Sequence, residues 1–367
     1  MASKPAAAWQ PSWAVPPGEI LLEALQERGM TQAELARRMA RPPKTINEII
    51  KGKAAITAET AIQLERTLGI SARFWTNLEA TYREAIARQE AQHQLEEHSD
   101  WVDSFPVKDL VRRRVIREGA TKAETLAELL SFFRVSSPQA FERHWREVAA
   151  AFRSSPAFAA QPKAVAAWLR WGEVEASRIG SVPAYDARQF REVLLEVREM
   201  TRRGPFMQVL NRVKAMCLEV GVIVVLTPEL EGTHLSGATH WVDGRPVIQL
   251  SLRHKSNDHF WFTFFHEAGH VLHSQRGRTF VDGADIDGSE KLDNDEHVAN
   301  EFARDTLLSA ADYHEFVAKG DYGSLAVRAF AENQRVAPGI VVGRLQRDKR
   351  IPPSHLNDLK RPIHWPE

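Results

Sequence analysis

Two histidines one helical turn apart, set in an aromatic segment, restrict how this chain can fold. His266 and His270 occupy positions i and i+4, with Glu267 between them. On a helix such positions share one face, with Cβ atoms about 5–6 Å apart. The preceding residues 260–265 read FWFTFF, which predicts a buried helix. Buried histidines and a buried glutamate destabilise a core unless a metal ion or hydrogen bonds satisfy them. The sequence therefore requires a polar centre inside a hydrophobic domain.

The spacing of these residues favours a zinc site with hydrolytic chemistry over a pair of hydrogen-bonded core histidines. Two imidazoles on one helix face can bind one tetrahedral zinc ion. Glu267 lies on the adjoining face, where it can take a proton from a water molecule that zinc activates. We therefore predict His266 and His270 as metal ligands, Glu267 as the catalytic base, and one zinc ion per chain as the cofactor.

A third protein ligand is expected from the next helix. Residues 281–295 are acidic and contain glycine, which predicts a loop, and a helical segment begins at Glu296. Glu296 and Asn300 share one face of that segment. Glu296 is therefore predicted to bind the metal, and Asn300 is predicted to orient one of the two histidine ligands without binding the metal itself. His273, one turn beyond the histidine pair, is expected to have a similar supporting role or a structural one. Three other residues remain alternatives for the third ligand: Asp293, His297 and Glu301.

The segments around this site predict an α+β domain with a small sheet. A helix is expected over about Phe206–Val220, followed by a β-branched strand at Val222–Leu226. Two further strands, Leu235–Val242 and Pro246–Leu252, are separated by Asp243-Gly244, a turn signal typical of hairpins.

These segments resemble the ImmA/IrrE family of metallopeptidases. The matching stretches are Val247–Leu250, Phe262–His270 with His273, Glu296–Ala303 and Ala337–Leu345. The resemblance covers about residues 205–350 and implies a zincin-like, more closely gluzincin-like, domain. It also implies a protein substrate, since family members typically cleave a specific helix-turn-helix repressor in stress, phage or mobile-element switches.

The N-terminal region predicts a bundle of five helices. The first helix spans about residues 16–27, and a capping box of Thr31 and Glu34 starts the second. The third helix is expected over about Pro43–Lys51, and Thr57 and Ser71 begin the fourth and the fifth. Two short helices joined by a tight turn within such a bundle are typical of a helix-turn-helix domain. Residues 28–53 hold seven cations against two acids, a balance that suits DNA phosphates.

This region resembles the Xre/Cro-type helix-turn-helix domain of HigA-like antitoxins. The resemblance covers about residues 8–90 and rests on residues 16–19, 31–36, 41–52 and Phe74-Trp75. It implies binding of a double-stranded, usually palindromic DNA operator by a homodimer. By their positions, the residues expected to meet the bases are Lys44, Thr45, Asn47 and Glu48, and those expected to meet the backbone are Arg37, Lys51 and Lys53.

The remaining sequence excludes several classes of protein. The 367 residues carry no net formal charge and contain one cysteine, so neither an internal disulfide nor a cysteine-rich zinc site is expected. No apolar run approaches the length of about 20 residues that spans a bilayer, and no signal-like N-terminus is present, so we expect no membrane contact and a cytoplasmic location.

We therefore predict a multi-domain, mainly α-helical protein. Its predicted parts are a helix-turn-helix domain at 1–100, a helical connecting domain at 101–204 and a zinc metallopeptidase-like domain at 205–367. The predicted function is a DNA-binding transcriptional regulator whose peptidase cleaves itself or a partner repressor. The alternative is a non-enzymatic, HigA-like antitoxin or repressor whose zinc domain senses a ligand or binds a toxin.

Overall fold

Helices dominate the part of the chain that the computed structural model describes, which comprises residues 15–151, 161–274, 280–283 and 294–365. The chain divides into two units, Met1–Ser99 and Asp100–Glu367. The mainly helical fold with a small sheet confirms the predicted fold class. The three-domain division stays a prediction, and its boundary at residue 204 lies inside the second unit.

The first unit is the predicted five-helix bundle. Its helices are α1 (Pro17–Glu27), α2 (Gln32–Arg38), α3 (Pro43–Ile50), α4 (Ala58–Leu68) and α5 (Ala72–Glu97). Their inward residues, among them Leu21, Leu35, Ile46, Leu64 and Trp75, form one buried cluster.

The start of α2 shows how local sequence sets a helix boundary in this bundle. The hydroxyl of Thr31 accepts a hydrogen bond from the backbone N–H of Glu34 at 3.1 Å, as the capping-box prediction requires. The carboxylate of Glu34 instead pairs with Arg38, one turn further on. The predicted box is therefore half formed, because an i,i+4 ion pair competes for the glutamate.

The second unit begins with a helical region. Its helices are α6 (Val107–Arg112), α7 (Lys122–Phe133), α8 (Pro138–Ala151), α9 (Pro162–Ser177), α10 (Ala187–Met200) and α11 (Phe206–Glu219). Thr121 and Glu124 form a complete capping box at the start of α7. Helices α10 and α11 supply Phe190, Leu194 and Leu210 to the main hydrophobic core.

Four strands follow in the spatial order β1-β3-β2-β4. They are β1 (Ile223–Leu226), β2 (Leu235–Val242), β3 (Arg245–Leu250) and β4 (Phe280–Gly283). Strand β1 pairs with β3 in parallel, whereas β2 is antiparallel to both β3 and β4. Asp243 and Gly244 form the hairpin turn with φ values of 48° and 75°, in the left-handed region that such turns need.

Strand β4 corrects the prediction of a loop beginning at residue 281. Its four residues include an aspartate and a glycine and show no alternating pattern, so no strand signal is present there. Hydrogen bonding to β2 supplies the missing information, since Thr239 pairs with Phe280 and Ala238 with Val281.

Five further helices complete the described part of the second unit, and the first of them packs against the sheet while the others add to the main core. They are α12 (Asn257–His273), α13 (Asn294–Leu307), α14 (Ala310–Lys319), α15 (Ser324–Asn333) and α16 (Pro338–Arg347). The aromatic residues Phe260, Trp261, Phe264 and Phe265 of α12 are buried in the core, as predicted. None of the described helices is both long enough and apolar enough to cross a bilayer.

Candidate metal centre and nucleic-acid interface

Helices α12 and α13 approach closely at a glycine. A Cβ atom built on Gly269 would lie 3.0 Å from Cα of Ala299, tighter than ordinary contact. Ala299 is itself small and buried. Because neither residue carries a bulky side chain at the crossing, the two helices can place their polar residues within reach of each other.

Three side chains converge at this crossing: His266, His270 and Glu296. Their potential ligand atoms all lie within 4.8 Å of one another. Nε2 of His266 lies 3.1 Å from Nε2 of His270. The two oxygens of Glu296 lie 3.3 Å from Nε2 of His266 and 3.4 Å from Nε2 of His270. Two imidazoles and one carboxylate form the donor set of many zinc enzymes, so these residues fit such an ion.

The environment of Glu296 favours the ionised form that a metal ligand needs. Burial raises the pKa of this carboxyl, but hydrogen bonds with His266 and His270 outweigh that effect and hold the pKa well below its usual range. The carboxylate is therefore negative at neutral pH.

The two histidines are held in place by their surroundings. The ring of His270 stacks on Phe280 at a centroid distance of 4.1 Å, and Oγ of Ser274 lies 3.3 Å from its Nδ1. The ring of Phe262 lies over His266 at 6.3 Å. Neither Ser274 nor Phe280 was expected from the sequence, because Phe280 belongs to the strand that had no signal.

Glu267 lies beside this group and is fully buried. The hydroxyl of Thr239 on β2 lies 2.7 Å from Oε2 of Glu267 and 3.0 Å from its backbone carbonyl oxygen. A Cβ atom on Gly237 would lie only 2.6 Å from Oε1 of Glu267. Strand β2 thus positions the carboxylate with one hydroxyl and makes room for it with one glycine. Sequence reasoning missed both residues, since contacts between a strand and a helix leave no local pattern.

The other residues predicted around the metal lie less centrally. His273 is exposed and packs against Phe302, while Asn300 is half-buried one turn after Glu296. Burial and the nearby Arg191 lower the pKa of His273. His297 and Glu301 pair with each other at 3.2 Å, with more than half of each side chain exposed. Asp293 lies outside the described residues.

The other face of β2 carries a separate polar cluster. Nε2 of the buried His240 lies 3.2 Å from Oε1 of Gln249, and Nε2 of Gln249 donates to the carbonyl oxygen of Trp168 and to Oγ1 of Thr227, both at 2.8 Å. Burial lowers the pKa of His240 below the ordinary value of 6.5. The imidazole is therefore neutral at pH 7.

In the first unit, the residues predicted to contact DNA lie along α3 and at the ends of α2 and α3. Arg37, Lys44, Lys51 and Lys53 are exposed, and Thr45, Asn47 and Glu48 are half-buried. Lys44 lies 3.8 Å from Glu48 in an exposed i,i+4 pair. Within the described part of the chain, no ion pair neutralises Arg37, Lys51 or Lys53. The helix pair therefore presents uncompensated positive charge beside amide and hydroxyl groups.

Comparisons with known proteins match both units of the chain. A helix-turn-helix family model matches residues 21–75, and a peptidase family model, the IrrE N-terminal-like domain, matches residues 219–345. These matches confirm the two resemblances drawn from the sequence.

Curated relatives match the N-terminal region. The HTH-type transcriptional regulator YddM of Escherichia coli (strain K12) is 38% identical over 73 residues, which are 20% of this chain and 78% of the relative. Virulence-associated protein I of Dichelobacter nodosus is 39% identical over 80 residues, which are 22% of this chain and 74% of the relative.

Solved structures match the same region. An addiction module antidote protein of the HigA family from Coxiella burnetii is 33% identical, with a TM-score of 0.22, and the match covers 23% of this chain and 92% of that protein. The antitoxin HigA of Pseudomonas aeruginosa, solved with the higBA promoter, is 37% identical, with a TM-score of 0.22, over 23% of this chain and 94% of that protein.

Proposed function

This chain belongs to the helix-turn-helix transcriptional regulators and carries a second domain of the IrrE N-terminal-like peptidase family, and from this premise we propose that it is a regulator with a zinc-dependent peptidase. Its N-terminal domain binds operator DNA. Its C-terminal domain holds one zinc ion and cleaves the chain itself or a partner repressor. Operator binding places the protein in the cytoplasm.

The proposed metal ligands are His266, His270 and Glu296. The observation that carries the proposal is the convergence of their ligand atoms beside a fully buried Glu267. A purely structural zinc site needs no such additional carboxylate. A buried carboxylate is costly unless something stabilises it, so its place beside the three ligands supports a chemical role.

The residues have distinct parts in peptide hydrolysis. Zinc bound at this site would supply a Lewis acid that polarises the scissile carbonyl and makes water more acidic. Glu267 takes a proton from the attacking water and returns it to the leaving amine, so the same carboxylate acts as base and then as acid. Thr239 and Gly237 fix the position of this carboxylate between the two proton transfers. Asn300 and His273 support the site from outside the ligand set.

The DNA-binding part of the proposal rests on the surface of α3. Lys44, Thr45, Asn47 and Glu48 enter the major groove and meet base edges, as amide, hydroxyl and charged groups can. Arg37, Lys51 and Lys53 meet phosphates. We propose a homodimer on a palindromic operator. Because one chain joins both domains, a repressor bound at the same operator is presented to the peptidase at a high effective concentration.

A cleavage assay with two variants tests the enzymatic part. The zinc-loaded protein is incubated alone and with the repressor or toxin encoded beside it, and the products are identified by mass spectrometry. We expect cleavage by the parent protein and none by Glu267→Gln, which keeps its metal because Glu267 is not a ligand. The control is Glu301→Gln, an exposed glutamate of α13, which should cut at the parent rate.

The outcomes separate the two functions. An undiminished rate in Glu267→Gln eliminates this residue as the base. A protein that holds zinc and binds the toxin without cutting it, or that cuts none of these substrates, supports the alternative of a non-enzymatic antitoxin or repressor.

A further inference from the structure

A cavity of about 680 Å³ opens beside the metal-site helix. Its wall includes Phe262 of α12, whose ring also lies over His266. Asp258 and His259 of α12 also line it, and the rest of the wall comes from α13, from α16 and from the segment that follows α16. The cavity therefore shares one residue with the surroundings of the metal centre but contains none of the proposed ligands.

Positive charge dominates the wall of this cavity. Six cationic side chains line it: Arg304, Arg344, Arg347, Lys349, Arg350 and Lys360. Three of them are paired with acids within the chain: Arg304 with Glu301 at 3.8 Å, Arg344 with Asp348 at 2.7 Å and Lys360 with Asp258 at 2.6 Å. In the described residues, no ion pair neutralises Arg347, Lys349 or Arg350. The cavity thus offers several cations to an incoming anion.

Part of the wall is apolar. Leu307, Leu308 and Ile351 are buried in the wall, and the guanidinium of Arg347 lies 5.2 Å from the centre of the Phe262 ring. Asp258 also lines the cavity, but it is only 5% exposed and its carboxylate pairs with Lys360. The wall therefore combines an apolar surface with the cations Arg347, Lys349 and Arg350.

We propose that this cavity binds a nucleotide. Its volume lies within the roughly 300–1,000 Å³ typical of small-molecule sites. Guanidinium groups match phosphate oxygens in pairs, and the apolar wall with the Phe262 ring suits the face of a base. A nucleic-acid backbone needs an extended surface rather than a recess, so the geometry favours a small molecule. This proposal does not depend on peptidase activity.

Calorimetry with the full-length protein tests the proposal. The probes are the four common ribonucleoside diphosphates, their nucleosides, and pyrophosphate. We expect at least one nucleoside diphosphate to bind once per chain, at least tenfold more tightly than its nucleoside or pyrophosphate alone, because only the whole nucleotide uses both parts of the cavity. The double variant Lys349→Gln/Arg350→Gln should weaken that binding about tenfold or more, since charge-assisted hydrogen bonds are lost.

A matched control assigns the site. Arg328→Gln removes one exposed arginine of α15 in the same unit and should leave the affinity unchanged. Absence of saturable binding by all four diphosphates overturns the proposal, as does binding that is equally strong with pyrophosphate or equally weakened in Arg328→Gln. Displacement of a bound nucleotide by a poly-glutamate peptide, with tighter binding of that peptide, would assign the cavity to an acidic protein segment instead.

Discussion

The contact at Gly269 predicts that a single methyl group weakens the metal site without unfolding the domain. A Cβ atom at this position would lie 3.0 Å from Cα of Ala299, where ordinary contact begins at 3.4 Å. In Gly269→Ala the two helices must therefore separate by about 0.4 Å, since the obstacle is backbone and carbon–carbon contacts are optimal at 3.5–4.0 Å. Glu296 moves with α13, away from the histidines on α12.

The size of the effect follows from the tolerance of metal sites. Ligand distances are held to about ±0.2 Å, so a displacement of about 0.4 Å exceeds what the site can absorb. We expect zinc affinity to fall roughly 10- to 100-fold, as when supporting residues of a metal site are changed. Overpacking lowers the free energy of unfolding by about 1–3 kcal/mol. The better helix propensity of alanine raises it by about 1 kcal/mol. The free energy of unfolding should therefore fall by at most about 2 kcal/mol.

Competition with a chromophoric chelator measures this affinity directly. The control is Gly180→Ala, because Gly180 is exposed and a Cβ atom there meets nothing within 4 Å. Chemical denaturation of both variants shows whether the domain stays folded. Zinc affinity of Gly269→Ala within twofold of the parent protein, in a folded domain, would refute the argument that this crossing sets the ligand geometry.

Two further predictions concern the other sites. Asn47→Ala should weaken binding to an operator selected from random DNA by about 1–3 kcal/mol. Arg66→Ala, which removes an exposed cation from α4, should change this affinity little. A gel-shift titration that shows equal losses for the two variants rejects the groove assignment. Burial lowers the pKa of His240 in the folded state. Near and below about pH 6.5 the unfolded chain therefore binds a proton at this histidine that the folded chain does not. The free energy of unfolding should decline as pH falls below about 6.5. Denaturation of His240→Asn should show a shallower decline, and an unchanged pH slope would contradict this.

Much of the metal centre could be predicted from the sequence because its residues are close together in the chain. His266 and His270 share a helix whose periodicity and aromatic residues fix the buried face. The hairpin of β2 and β3 was likewise predictable, because the Asp243-Gly244 turn specifies it locally. The helix-turn-helix unit was predictable for the same reason, since its caps and apolar spacing are local.

The missed features depend on contacts between distant segments. Thr239 supports Glu267 from 28 residues away, and no periodicity links a strand hydroxyl to a helix carboxylate. Strand β4 forms because β2 offers it an unpaired edge, which a short acidic segment cannot signal. At the start of α12, Ser256 occupies the cap position. Oδ1 of the next residue, Asn257, accepts a hydrogen bond from the backbone N–H of Arg361, and Asp258 pairs with Lys360, so both side chains depend on the distant C-terminal segment.

The zinc content of the purified protein tests the metal centre most directly. Elemental analysis should find about one zinc ion per chain, lost in His266→Ala and in Glu296→Gln. It should be retained in His297→Ala, which removes an exposed histidine next to Glu296 in the sequence. Zinc that persists in His266→Ala, or a parent protein that binds none when zinc is supplied, would contradict the assignment of these three residues.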